Sequence, residues 1–330
     1  MAPSNRTEEL AHGGIDDDVQ PVTADVTNKN ASSNETQKTS SVKFWDKSFS
    51  LLWQSIFNVF SAIGLYGMFW RPVYAYLALL HRKGVTPLRF MNYGFAAITE
   101  GDEKALAHKR AILKEEPEDE HTNINLYERT LALHPLHPHK LDGLDLLEIS
   151  CGHGGGLQWI ERAHPTLKSV RGMDMTIVDT MGGKVFQGNA YNVPLADESV
   201  DIVLNVESSH CYDDQPRFLR NCYRILRPGG YFLWTDIRPV GIFADFWIND
   251  PVDAGFELVG PILDWNEQIV KSLDQKSKLV FSKFSEHWYT RMFNFFWATF
   301  WGLPNTGMYR SIVDRKFLYR AAAWKKPAVQ

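Results

Sequence analysis

Cysteine is scarce in this chain: three in 330 residues, at Cys151, Cys211 and Cys222. So sparse and odd a set excludes a disulfide scaffold and fits a reducing compartment. No pair has metal-ligand spacing, so no metal is expected. An excess of positive charge is also lacking. Thirty-five Lys and Arg against 39 Asp and Glu leave a formal net charge of −4, without the basic face that a nucleic-acid partner requires. The opening "MAPSNRTEEL" has no basic stretch leading into an apolar core, so no secretory signal is expected there. Large apolar residues are nearly missing from 1–41, which is rich in Asn, Ser, Thr, Asp and Glu. Such a segment cannot bury enough surface to offset its ordering entropy and is expected to be a disordered tail.

Charge is then missing altogether from Leu51 to Trp70, "LLWQSIFNVFSAIGLYGMFW". Twenty uncharged residues reach the length of about 30 Å of bilayer hydrocarbon. Polar residues and glycines dilute the run, and Pro72 is expected to break or kink a helix near its end. Three alternatives follow: a membrane-inserted or interfacial hairpin, a single spanning helix, or a helical cap over a soluble core. A second aromatic run lies at Trp288–Pro304, and its uncharged part, the ten residues Met292–Trp301, is too short to span. It suits an interfacial piece or a lid over an apolar substrate. Eleven Trp and 20 Phe overall point to an apolar pocket, a membrane-facing surface, or both.

From Leu144 onward short apolar runs alternate with helical spacing. "LDLLEIS", "SVRGMDM", "GKVFQGNA", "SVDIVLNVES" and "GGYFLWTDIRP" read as strands, and "LQWIERAHP" and "FLRNCYRIL" as helices. That alternation implies parallel βαβ units in an α/β, Rossmann-like, doubly wound and mostly parallel sheet. "KFLYRAAAWKK" alternates well enough to be a final strand. The expected organisation is a tail at 1–41, an apolar helical segment at 42–100, a core at 101–239, and a cap with final strands at 240–330. "HPLHPHK", His134 to Lys140, is expected to be an exposed, proline-broken linker.

The chemistry starts at "EISCGHGGG", Glu148 to Gly156. A ligand crossing a strand-to-helix turn meets bare amides only where no Cβ intervenes. Asp174 stands 22 residues after Gly152 at the end of the second strand, where a carboxylate can accept both hydroxyls of a ribose. With "QGNA", "NVPLADESVDIVLNVES" and "LRNCYRILRPGGYF" in order behind it, this stretch resembles class I S-adenosylmethionine-dependent methyltransferases. More narrowly, "INLYERT", "LEISCGHGGG", "VESSHCY" and "DIRP" resemble the phthiotriol and phenolphthiotriol dimycocerosate methyltransferases of mycobacteria, from about Asn123 to Pro239.

The cysteine usage points to an intracellular protein, and the resemblance implies an enzyme with S-adenosyl-L-methionine as cofactor. It implies that Glu148 orients the loop through neighbours or water, and that the Gly152–Gly154 backbone packs against the methionine moiety. Asp174 would take the ribose, Asn189 and Ala190 the adenine edge, and Tyr127 would cover the cofactor. Two departures stand out. Ser150 replaces the usual first glycine of the loop, and the stretch between Asp174 and Val185 is too short for the usual helix beside the adenine. His210 is the candidate general base, because histidine titrates near neutral pH. Glu207 would orient the substrate or His210. Two uncharged aromatic segments point to methylation of a hydroxyl on an apolar, lipid-like acceptor at a membrane. The alternatives are carbon methylation of a sterol or quinone, and a non-catalytic membrane-associated protein of the same fold. Oligomeric state is not legible.

Overall fold

In the computed structural model the described residues are 66–84, 88–96, 103–137, 141–240, 246–281, 298 and 300–328. The expectations for 1–65 and for 282–297 lie outside them. The helices are α1 (Tyr66–Arg82), α2 (Glu103–Leu113), α3 (His121–Leu131), α4 (Gly155–Ala163), α5 (Gln215–Ile225), α6 (Phe246–Asp253), α7 (Asn266–Phe281) and α8 (Gly307–Val313). The strands are β1 (Asp145–Ile149), β2 (Ser169–Asp174), β3 (Val185–Gln187), β4 (Val200–Val206), β5 (Leu226–Pro239), β6 (Glu257–Asp264) and β7 (Phe317–Lys325).

They form one seven-stranded sheet, ordered β3-β2-β1-β4-β5-β7-β6. The first five pair in parallel, and β7 lies antiparallel between β5 and β6. The order reverses between β1 and β4, where an open α/β sheet leaves a crevice at its carboxyl ends. Strand period explains the two cores. Leu146 and Leu233 face α3 and α4, while Leu147, Phe232 and Trp234 face α5. β1 is buried along its whole length, as a central parallel strand requires. Helix α5 starts where Asp214 accepts the Arg217 N–H at 3.1 Å, with Pro216 in its first turn.

Two expectations are corrected. Pro72 does not end α1, which continues on both sides of it. The ring removes one backbone donor, and the remaining turns carry the helix across. The loop after α3 is not a mere exposed linker. His134 is 3% exposed and its ring lies 4.5 Å from that of Tyr231. His137 bonds Glu128. No helix among the described residues is long and apolar enough to cross a membrane.

Candidate active site

A cavity of about 300 Å³ opens at the carboxyl ends of β1, β2 and β4. The glycine turn forms its floor: Ser150, Cys151, Gly152 and His153 all line it. Asp174 closes one side. Its Oδ2 accepts the Gly152 N–H and its Oδ1 the Thr176 N–H, both at 2.9 Å. Burial raises this carboxyl above its usual range. Asn189, Ala190 and Tyr191 close the side beyond β3. Asn189 turns its Oδ1 back on the Tyr191 N–H, leaving its amide nitrogen for a ligand. Between Asp174 and β3 there is only a single turn, Met181–Gly183, so the short wall expected there is present. Met175, 47% exposed, stands at that edge.

The glycines answer the question of close approach in an unexpected way. A Cβ on Gly156 would fall 2.0 Å from the Tyr127 ring, and one on Gly155 2.8 Å from the Arg89 carbonyl oxygen. Much of the bareness of this loop therefore admits the chain itself. Tyr127 lines the cavity, and its hydroxyl donates to Glu148 Oε1 at 2.7 Å. Glu148 is wholly buried and does not line the cavity. Its polar contact is the Tyr127 hydroxyl, and its Oε2 has no hydrogen-bond partner. Gly154 likewise does not line the cavity; a Cβ there would fall 2.7 Å from Met181 Sδ.

Burial pushes the Glu148 carboxyl up to about 8, although the Tyr127 hydroxyl pulls it down. The folded chain therefore holds a proton there that the unfolded chain releases near pH 4.5. This makes the wild type progressively less stable as pH rises through that interval. Glu148→Gln carries no such penalty, so its stability relative to wild type should rise from about pH 4.5 to about pH 8 and then level off. Urea midpoints across that range measure it, and a constant difference would show that Glu148 ionises normally.

Ser150 holds φ at +61°, the left-handed conformation that the usual glycine adopts freely. Its Oγ lies 2.6 Å from the Tyr212 hydroxyl. Both Ser150→Gly and Ser150→Ala lose that bond, and only Ala keeps the strained backbone. The glycine variant should be more stable than the alanine variant by about 1 kcal/mol, the reverse of the order in ordinary backbone. Thermal denaturation of the pair checks it.

Glu207 follows β4 with φ at +47°, a strained position of the kind found at functional sites. Its Oε2 accepts the Tyr93 N–H at 2.9 Å and the Tyr319 hydroxyl at 2.8 Å. Burial raises the carboxyl to about 7, against the pull of Tyr93, Tyr319 and His210. Glu207 lines the main cavity and also a second, smaller one of about 30 Å³. His210 lines only the smaller one, among Tyr93, Ile237, Phe300 and Phe317. Its Nδ1 lies 2.7 Å from Asp236 Oδ1. Burial opposes the imidazolium, but Cys211 and Asp236 outweigh it and hold the ring well above its usual range. Asp236, within β5, is fully buried and also takes the Ser209 hydroxyl and the His210 N–H. Sequence reasoning missed Tyr93 and Tyr319.

A separate charged cluster lies behind α3. Glu128, His137 and His164 bring their ligand atoms within 4.8 Å of one another. The Lys109 ammonium already sits there, bonded to Glu128 Oε1 and 3.1 Å from His137 Nε2. A cation is thus built into the place where a metal would go.

A methyltransferase-domain family matches residues 147–234. The chain is 33% identical over 223 residues to phthiotriol/phenolphthiotriol dimycocerosates methyltransferase 1 of Mycobacterium ulcerans, spanning 64% of this chain and 75% of that one. It is 38% identical over 136 residues to a fatty-acid O-methyltransferase of Mycolicibacterium smegmatis, spanning 38% of this chain and 47% of that enzyme. Among solved structures, a protein from Galdieria sulphuraria provisionally named a sarcosine dimethylglycine methyltransferase superposes with a TM-score of 0.55. That superposition covers 76% of this chain and 97% of the other at 14% identity, a likeness of fold alone.

Proposed function

The chain belongs to the family of class I S-adenosylmethionine-dependent methyltransferases that includes the phthiotriol/phenolphthiotriol dimycocerosates enzymes, and we propose that it methylates a hydroxyl of an apolar, lipid-like small molecule. Its cofactor is S-adenosyl-L-methionine, and the residues fit it. Gly152 offers a bare backbone at the cavity floor, Asp174 a carboxylate for the ribose, and Asn189 and Ala190 a flat edge for the adenine. When bound, the cofactor supplies a methyl group already activated on a sulfonium.

The observation that carries the hydroxyl reading is Glu207, shared by the two cavities and brought by burial to about 7. A carboxylate of that strength is matched to taking the proton of an acceptor hydroxyl near neutral pH. Tyr93 and Tyr319 hold it in one orientation. His210, tied to Asp236, stands beside it as a positive charge that favours the ionised carboxylate. Ile237, Phe300 and Phe317 give the smaller cavity apolar walls that exclude water from the proton transfer. The relatives named for phthiotriol and phenolphthiotriol dimycocerosates and for a fatty acid support an apolar acceptor.

Membrane contact belongs to the same proposal. Tyr76 and Leu79 are 48% and 40% exposed on α1, above the basic end His81, Arg82 and Lys83. That combination suits contact with a lipid surface. The tagged chain should co-sediment with phospholipid vesicles, and a chain left in the supernatant would overturn this part. The reaction is tested with methyl-labelled cofactor and lipid extract from cells lacking the protein. Label released by ether cleavage supports the proposal, and label retained on carbon overturns it.

A further inference from the structure

The two cavities meet at three side chains, Tyr74, Met91 and Glu207. Met91 is the one placed on the glycine turn. A Cβ on Gly152 would fall 2.6 Å from Met91 Cε. Its methyl therefore covers the bare backbone that the cofactor's methionine end needs.

The backbone around Met91 is held on every side. Arg89 bonds Glu120, Glu116 and Gln158. The Asn92 carbonyl accepts from Asn123 at 2.7 Å and from the Lys276 ammonium at 2.9 Å. The Tyr93 N–H is committed to Glu207, and its carbonyl accepts the Ser272 hydroxyl at 2.9 Å. This segment, residues 89–93, is a strap that cannot give way without breaking several buried bonds. The Met91 side chain can, because methionine is unbranched and turns about three bonds.

We propose that Met91 is the partition between cofactor and acceptor: its side chain leaves Gly152 when the cofactor binds, and its new position sets how the acceptor's head approaches Glu207. This rests on the methyltransferase function proposed above. A side chain that covers the site at rest lowers apparent affinity by the fraction of time it does so. Met91→Ala should tighten binding of S-adenosylhomocysteine by about threefold to tenfold. Met91→Ile, similar in size but stiff at χ1, should weaken it by a comparable factor.

Calorimetric titration reads both variants. The wild-type protein is read by NMR with methyl-labelled methionine, the Met91 signal being assigned from its loss in Met91→Ile. The signal should move on titration and reach its end point as S-adenosylhomocysteine saturates. If the wild type binds S-adenosylhomocysteine while the Met91 signal stays still, the partition is overturned and the cofactor site stands. Equal affinity of both variants and the wild type also overturns it. If the wild type binds no S-adenosylhomocysteine, the proposed function falls, and the partition with it.

Discussion

Replacing Glu128 by alanine should cost the fold about 3 to 5 kcal/mol, as removal of one partner from a buried ion pair does. Both oxygens of this carboxylate are in use. Oε1 is bonded by Lys109 and His137, and Oε2 by the Trp159 indole at 3.2 Å and His164 at 3.0 Å. Lys109 and Glu128 are only 3% and 2% exposed, so the variant leaves an ammonium buried without its counter-charge. The preceding residue of α3 is Tyr127, which touches both Glu148 and the cavity. Loosening the helix at Glu128 should therefore weaken cofactor binding as well as stability. Tryptophan fluorescence in a urea titration measures the first, and calorimetry at low temperature the second. Glu128→Gln keeps the shape and part of the bonding and should fall between. A loss below about 1 kcal/mol would place Glu128 among ordinary surface pairs.

Glu207→Gln should lower kcat by about a hundredfold to ten-thousandfold, the usual range for loss of a positioned general base. A base must be unprotonated to act. Wild-type kcat/KM should therefore rise with pH through about 7, the value to which burial brings this carboxyl. The variant should lose that rise. S-adenosylhomocysteine binding should change little, because the glycine turn and Asp174 are untouched. A variant that keeps the pH rise would move the proton to another group.

The parts of this molecule carried by short, local patterns were legible in advance. The glycine turn, Asp174 and the five parallel strands each depend on residues close in sequence. Glu207 was visible as a candidate, but its setting was not. Its two partners, Tyr93 and Tyr319, lie 114 and 112 positions away, and nothing local marks either one. Strand β6 was hidden for a different reason. It contains Gly260 and Pro261, which read as a turn, and it lies at the sheet edge with shifted register. Its largely exposed side chains give no alternation to detect. The glycines of the turn were assigned to ligand approach, whereas Gly155 and Gly156 admit the strap and Tyr127. A sequence records that space is needed without recording what fills it. His137 was hidden by the prolines around it, which mark a loop and say nothing of burial.

Strand β7 is last in the chain but sits inside the sheet, with neighbours on both sides that are made earlier. During synthesis β5 must therefore wait with an unpaired edge, the kind of edge that invites association with other chains. The elements of the glycine turn are complete by then, while Glu207 still lacks the Tyr319 hydroxyl. The nascent chain is thus able to assemble its glycine turn before Glu207, the proposed proton acceptor, has both of its bonds.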